Sequence, residues 1–230
     1  MARGAKRIEV LERVAATLPV DGTVASRFRA RAVELARAEG LGQALITHRL
    51  VPLDEPAAAV LIAGGAAFHA PRLLPESGEL TALAFGAATL GSALSERVSA
   101  LFAERQPSLA LALDALGNRM LLEASRRVQD AVLASVRRAG LTMAGELRPG
   151  DPGLALETQP AVVRLAGGAA LGLATTRSLA LNPPKSATVV YGVGRDLPAV
   201  AWSRCDDCRS RPTCRVPREA AALAVGEVRP

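Results

Sequence analysis

Aromatic residues are almost missing from this chain. Phe, Tyr and Trp make up 3% of its 230 residues, with one Trp and one Tyr. Proteins that read nucleic acids stack bases on aromatic faces. The shortage therefore argues against nucleic-acid binding, although Lys and Arg outnumber Asp and Glu by 28 to 22. A core must come from Ala, Leu and Val, and the 50% hydrophobic content supplies it. Histidines number two and cysteines three. An odd, clustered set of cysteines is no disulfide framework. Long apolar runs are also lacking: the longest, Ala57 to Phe68, is interrupted by Gly64 and Gly65 and is too short to span a bilayer. The basic N-terminus turns amphipathic without an apolar signal segment, so the expectation is a cytoplasmic protein with no membrane partner. There is no Walker-type phosphate loop, no dinucleotide fingerprint and no recognisable nucleophilic triad.

What is present alternates between helical and strand patterns. Ile8, Leu11, Val14 and Leu18 recur at helical spacing, and a second helix is expected from Thr23 to about Ala38. Ala44–Val51, Ala58–Ile62 and Glu79–Ala87 read as strands. Gly91-Ser92 starts a helix, and Pro107-Ser108 starts another. In the latter, Leu109, Leu113, Leu116, Met120, Ala124 and Val128 fall on one stripe, and its first half reads as buried all round. Strands follow near Leu141–Leu147, Gly172–Thr176 and Thr188–Gly192, with a short helix over Leu154–Ala166. This order predicts one α+β domain: a twisted, mainly antiparallel sheet with packed helices. Its parts would be an N-terminal region over 1–88, a core over 89–203 and a cysteine-bearing tail over 204–230.

Four features carry candidate chemistry. Cys205, Cys208 and Cys214 lie within ten residues, and Cys-x2-Cys spacing brings two sulfurs to one side of a turn. Zinc or an iron–sulfur cluster would need a fourth ligand from elsewhere. Arg148 opens the turn Arg148-Pro149-Gly150, where a guanidinium fork and free N–H groups suit a carboxylate or phosphate. Lys185 and Ser186 stand where a turn enters a strand, and they face a ligand or cap the turn. Asp114 and Glu123 interrupt the apolar part of the long helix and need partners there.

Taken in order, these segments resemble the reactivation domain of cobalamin-dependent methionine synthase, most closely its short stand-alone relatives that end in a cysteine knuckle. The resemblance rests on Leu113-Asp114-Ala115-Leu116-Gly117 with Glu123, on Arg148-Pro149-Gly150 with Gln159, and on Thr176-Arg177-Ser178 leading into Pro183-Pro184-Lys185-Ser186. It ends in Cys205-Asp206-Asp207-Cys208 to Cys214 and covers roughly Thr89 to Arg215.

The resemblance implies S-adenosylmethionine as ligand, a corrinoid protein or cobalamin-dependent methyltransferase as partner, and a flavodoxin or ferredoxin type reductant. It further implies that Arg148 holds the ligand, that Glu123 lies near the ligand's ammonium, and that Pro149 and Gly150 let backbone approach the adenosyl group. Asp151 stands where that family has a tyrosine, and Pro152-Gly153 offers a second match to its Pro-Gly pair. The alternative function is a small metal or iron–sulfur protein in electron transfer or assembly, with a vestigial ligand pocket.

Overall fold

The computed structural model describes residues 5–200 together with Trp202, Asp206 and Pro212. Its first element is a strand, β1 (Lys6–Glu9), followed by the five-residue helix α1 (Leu11–Ala15). The helical spacing from Ile8 therefore holds only from Leu11 onward. Ile8 is taken by pairing with Ala44, and the Val10 and Leu11 N–H groups donate to the Gly42 carbonyl. Sheet hydrogen bonds formed at a distance in sequence override the local pattern here. Helix α2 (Val24–Ala38) starts where expected, because the Thr23 hydroxyl accepts from the Ser26 N–H at 3.1 Å.

Strand β2 (Gln43–Pro52) leads into a hairpin of β3 (Leu61–Ala63) and β4 (Ala66–Phe68). The strand expected at Ala58–Ile62 is thus shorter and later, and residues 57–60 are exposed. Gly64 and Gly65 both have positive φ, +55° and +71°, and form the two-residue turn that sets the register of this hairpin. Then come β5 (Glu79–Thr89), α3 (Ala93–Ala103), the long helix α4 (Pro107–Arg138) and β6 (Thr142–Leu147). Helix α5 (Gln159–Ala166), the short pair β7 (Ala174–Thr175) and β8 (Leu181–Asn182), and β9 (Ser186–Arg195) complete the order.

Five strands form one sheet in the order β1-β2-β5-β9-β6, and every neighbouring pair is antiparallel. With helices on it, this is a single α+β domain. Alternation along the central strand β5 separates two cores. Ala82, Ala84 and Ala88 face the cluster built on α1–α4, while Leu83, Phe85 and Ala87 face the cluster containing α5 and the β3–β4 hairpin. The residues toward α4 are small, so the helix can lie close to the sheet. At Gly86 the approach is closest: a Cβ there would come within 2.3 Å of Val128 Cγ1. The predicted stripe of α4, Leu109 through Val128, is buried throughout. Its first half is not buried all round, since Leu111 is 62% exposed.

Candidate functional site

Strand β6 is an edge strand of the sheet, and Arg148 is the residue that follows it. The pairing of β6 with β9 shifts between Ala144 and Leu147, and Gly145 within the bulge has φ +69°. Leu147 then points into the α5 core, which places Glu146 and Arg148 together on the α4 side. A tight turn follows. The Arg148 N–H donates to Asp151 Oδ2 at 2.9 Å, the Asp151 N–H returns to the Arg148 carbonyl at 2.8 Å, and the Gly150 N–H donates to the Leu154 carbonyl at 2.8 Å. Asp151 thus caps the turn.

Around the Arg148 side chain the polar contacts are few. Its Nη2 lies 3.2 Å from Glu146 Oε1, and the Tyr191 hydroxyl donates to Glu146 Oε2 at 3.5 Å. The Arg148 and Glu146 side chains are 26% and 19% exposed. Arg148 Nε is buried and has no hydrogen-bond partner among the described residues. A buried donor left unmade costs about 1–3 kcal/mol, so this atom marks a place where an acceptor would be gained. The small, half-open space beside it, lined by Gly86, Ser125, Val128, Thr188 and Val189, has a volume of about 10 Å³. That holds one water molecule. A larger ligand must lie along the outer face of the β6 edge, with at most one group reaching inward.

The other sequence candidates sit elsewhere. Glu123 is on α4 two residues before Ser125, hence about 200° around the helix from the wall beside Arg148. Its carboxylate pairs with Arg13 Nε at 2.9 Å and Arg127 Nε at 3.3 Å, and it joins α1 to α4. Lys185 Nζ lies 2.7 Å from Asp114 Oδ1, 2.6 Å from Asn118 Oδ1 and 3.4 Å from the Asp114 carbonyl. Ser186 donates to the Thr89 hydroxyl at 2.8 Å. Lys185 and Ser186 therefore tie the start of β9 to α4 and β5. Both helix carboxylates that needed partners, Asp114 and Glu123, have them.

Lys185 is 12% exposed on its side chain, and all its donors are directed at α4. Hydrogen bonds to charged groups contribute about 1.5–3 kcal/mol in favourable settings. Lys185→Met is expected to lower stability by roughly 2 kcal/mol, read as a shifted urea midpoint at unchanged slope. An unshifted midpoint would remove the clamp role.

Glu146 is the functional candidate that sequence reasoning passed over. The signal was available: in a strand, Glu-x-Arg puts both side chains on one face. Tyr191 was visible only as a strand former.

Cys205, Cys208 and Cys214 lie outside the described residues. Among the described residues no group of three His, Cys, Asp or Glu side chains is placed to hold a metal ion. None of the described helices is long and apolar enough to cross a membrane. Trp202, three positions before Cys205, packs its ring against Gly145, and the Arg72 guanidinium sits 5.2 Å from its centroid.

The fold defined by this sheet and its helices is that of a methionine synthase reactivation domain. Superposed on the crystal structure of the MetH reactivation domain bound to AdoHcy, the chain gives a TM-score of 0.60 at 14% sequence identity, covering 92% of this chain and 87% of that one. No family model matches the sequence. No curated protein matches it.

Proposed function

We propose that this protein is an activation-domain-like accessory to cobalamin-dependent methyl transfer, and that it binds S-adenosylmethionine along the outer face of β6. The fold likeness over 92% of the chain supports the class. The observation that carries the ligand is Arg148, whose buried Nε lacks an acceptor among the described residues, at the end of an edge strand. A guanidinium so placed suits the carboxylate of an amino-acid ligand. Pro149 and Gly150 leave little side-chain bulk on the adjoining turn, so a flat adenosyl group can approach the backbone there. Glu123, Lys185 and Ser186 act in this reading through position: they hold α1, α4 and β9 in the arrangement that presents Arg148.

In that role Arg148 and the Pro149-Gly150 turn would hold the ligand, whose sulfonium would supply a methyl group to a reduced corrinoid on a partner protein with the thioether as leaving group, the reducing electron coming from a flavodoxin or ferredoxin type donor. The protein's own contribution is to bind and orient the donor. Calorimetric titration with S-adenosylmethionine tests the ligand. Saturable heat at or below millimolar ligand is expected, and none at that concentration would overturn the reading.

The cysteine segment is proposed as a separable thiolate site for zinc or an iron–sulfur cluster, on the strength of its Cys-x2-Cys spacing. Anaerobic purification followed by metal analysis should find bound metal. Three freely titrating thiols in a metal-free protein would refute it.

A further inference from the structure

We infer that Ser125 is a further ligand-binding residue: its hydroxyl is the second donor to a single carboxylate oxygen that enters the notch beside Arg148. This rests on the proposed ligand and deepens it, by assigning the group that reaches inward.

The argument starts from size. The notch has a volume of about 10 Å³, room for one water-sized atom. Gly86, Val128 and Val189 give it apolar walls, so an atom that enters leaves its hydration behind and has to find hydrogen bonds inside. Arg148 Nε–H is one donor, and it has no acceptor among the described residues. Thr188 also lines the notch, but its hydroxyl accepts from Gln159 Nε2 at 2.8 Å. Ser125 stands differently. Its Oγ donates to the Leu121 carbonyl, four residues back on α4, at 2.9 Å. That carbonyl lies inside the helix, where the ladder already gives it the Ser125 N–H. The hydroxyl bond is therefore an extra one. A turn about χ1 releases it toward the notch and leaves the ladder whole. Two donors then converge on one atom. An ammonium carries only hydrogens and would oppose Arg148 Nε–H, whereas a carboxylate oxygen accepts from both. The head of the ligand thus enters by its carboxylate, with one oxygen in the notch and the other outside.

The experiment uses two ligands on three proteins. S-adenosylmethionine and 5′-methylthioadenosine, which lacks the amino-acid head, are titrated into wild type, Ser125→Ala and Ser125→Val. Thermal melts run alongside. Ser125→Ala should weaken S-adenosylmethionine binding by about tenfold, the scale of one hydrogen bond to a charged group that replaces a weaker one. Its melting temperature should not fall, because alanine is the better helix former. Binding of 5′-methylthioadenosine should be unchanged. Ser125→Val fills the notch as well as removing the hydroxyl, so its loss should exceed that of Ser125→Ala. An unchanged affinity for S-adenosylmethionine in Ser125→Ala overturns the inference and leaves the proposed ligand standing. An equal loss for both ligands overturns it too, since the effect would then not pass through the carboxylate. If S-adenosylmethionine does not bind wild type, the proposed ligand falls and the inference falls with it.

Discussion

Arg148→Ala is expected to weaken S-adenosylmethionine binding by about 100-fold, the equivalent of roughly 2–3 kcal/mol. The magnitude follows from what is lost: a two-point, charge-assisted contact to a carboxylate, made by a guanidinium whose Nε has no acceptor among the described residues. Arg148→Lys should recover little, since an ammonium keeps the charge and lacks the planar fork. The substitution also removes the ion pair with Glu146, so a modest loss of stability is expected alongside. A thermal melt separates the two effects, because a folded variant that fails to bind isolates the ligand contact. Calorimetry within threefold of wild type for Arg148→Ala would remove Arg148 from the ligand site.

The second large effect is expected at Gly86. Gly86→Val should destabilise the fold by about 3 kcal/mol, at the upper end of what overpacking costs. A Cβ at this position meets Val128 Cγ1 at 2.3 Å and Val189 Cγ1 at 3.0 Å. Gly86 lies in the central strand β5, paired with His48 on one side and Val189 on the other, so the strand cannot move aside. Helix α4 has to yield, and the wall beside Arg148 moves with it, because Gly86, Val128 and Arg148 line the same small space. Valine's strand preference, worth at most about 1 kcal/mol, does not offset this. Gly86→Ala should be milder, and Val128→Ala in the same chain should relieve part of its cost. Urea melts of both single variants and the double variant give the coupling. Additive effects would mean that the close approach of α4 to β5 carries no strain.

Much of the fold was legible because it is written in short-range patterns. The α4 stripe from Leu109 to Val128 repeats at helical spacing, and each of those residues is buried. Thr23 marks the start of α2, and its hydroxyl caps that helix. The class followed from counting such segments. Failures came where a distant partner decided. Ile8 continues a helical pattern, yet it lies in a strand because Ala44 pairs with it. Residues 57–60 are apolar enough for a strand and find no pairing, while Gly64 and Gly65 turn the chain one step later. Ala57–Val60 consequently stays on the surface.

At the candidate site the division is similar. An arginine entering a Pro/Gly turn is a local signal, and Arg148 indeed opens a closed turn, with Asp151 as its cap. The acid beside it was local too, since Glu146 stands two residues before Arg148 and Glu-x-Arg spacing in a strand puts both on one face. The resemblance implied Glu123 near the ligand's ammonium; in the structure its carboxylate pairs with Arg13 and Arg127. Glu146 was passed over although its spacing from Arg148 already put it on the same face of the strand.

By itself the sequence determined the number and kind of elements, the α+β class and the arginine turn, since each depends on residues a few positions apart. Only the tertiary structure decided the sheet order, the closeness of α4 to Gly86 and the pairing of Glu123 with Arg13. Those depend on which strand faces which and how far a helix is rotated. They are settled when segments such as Glu79 and Arg195, far apart in the chain, are brought into register.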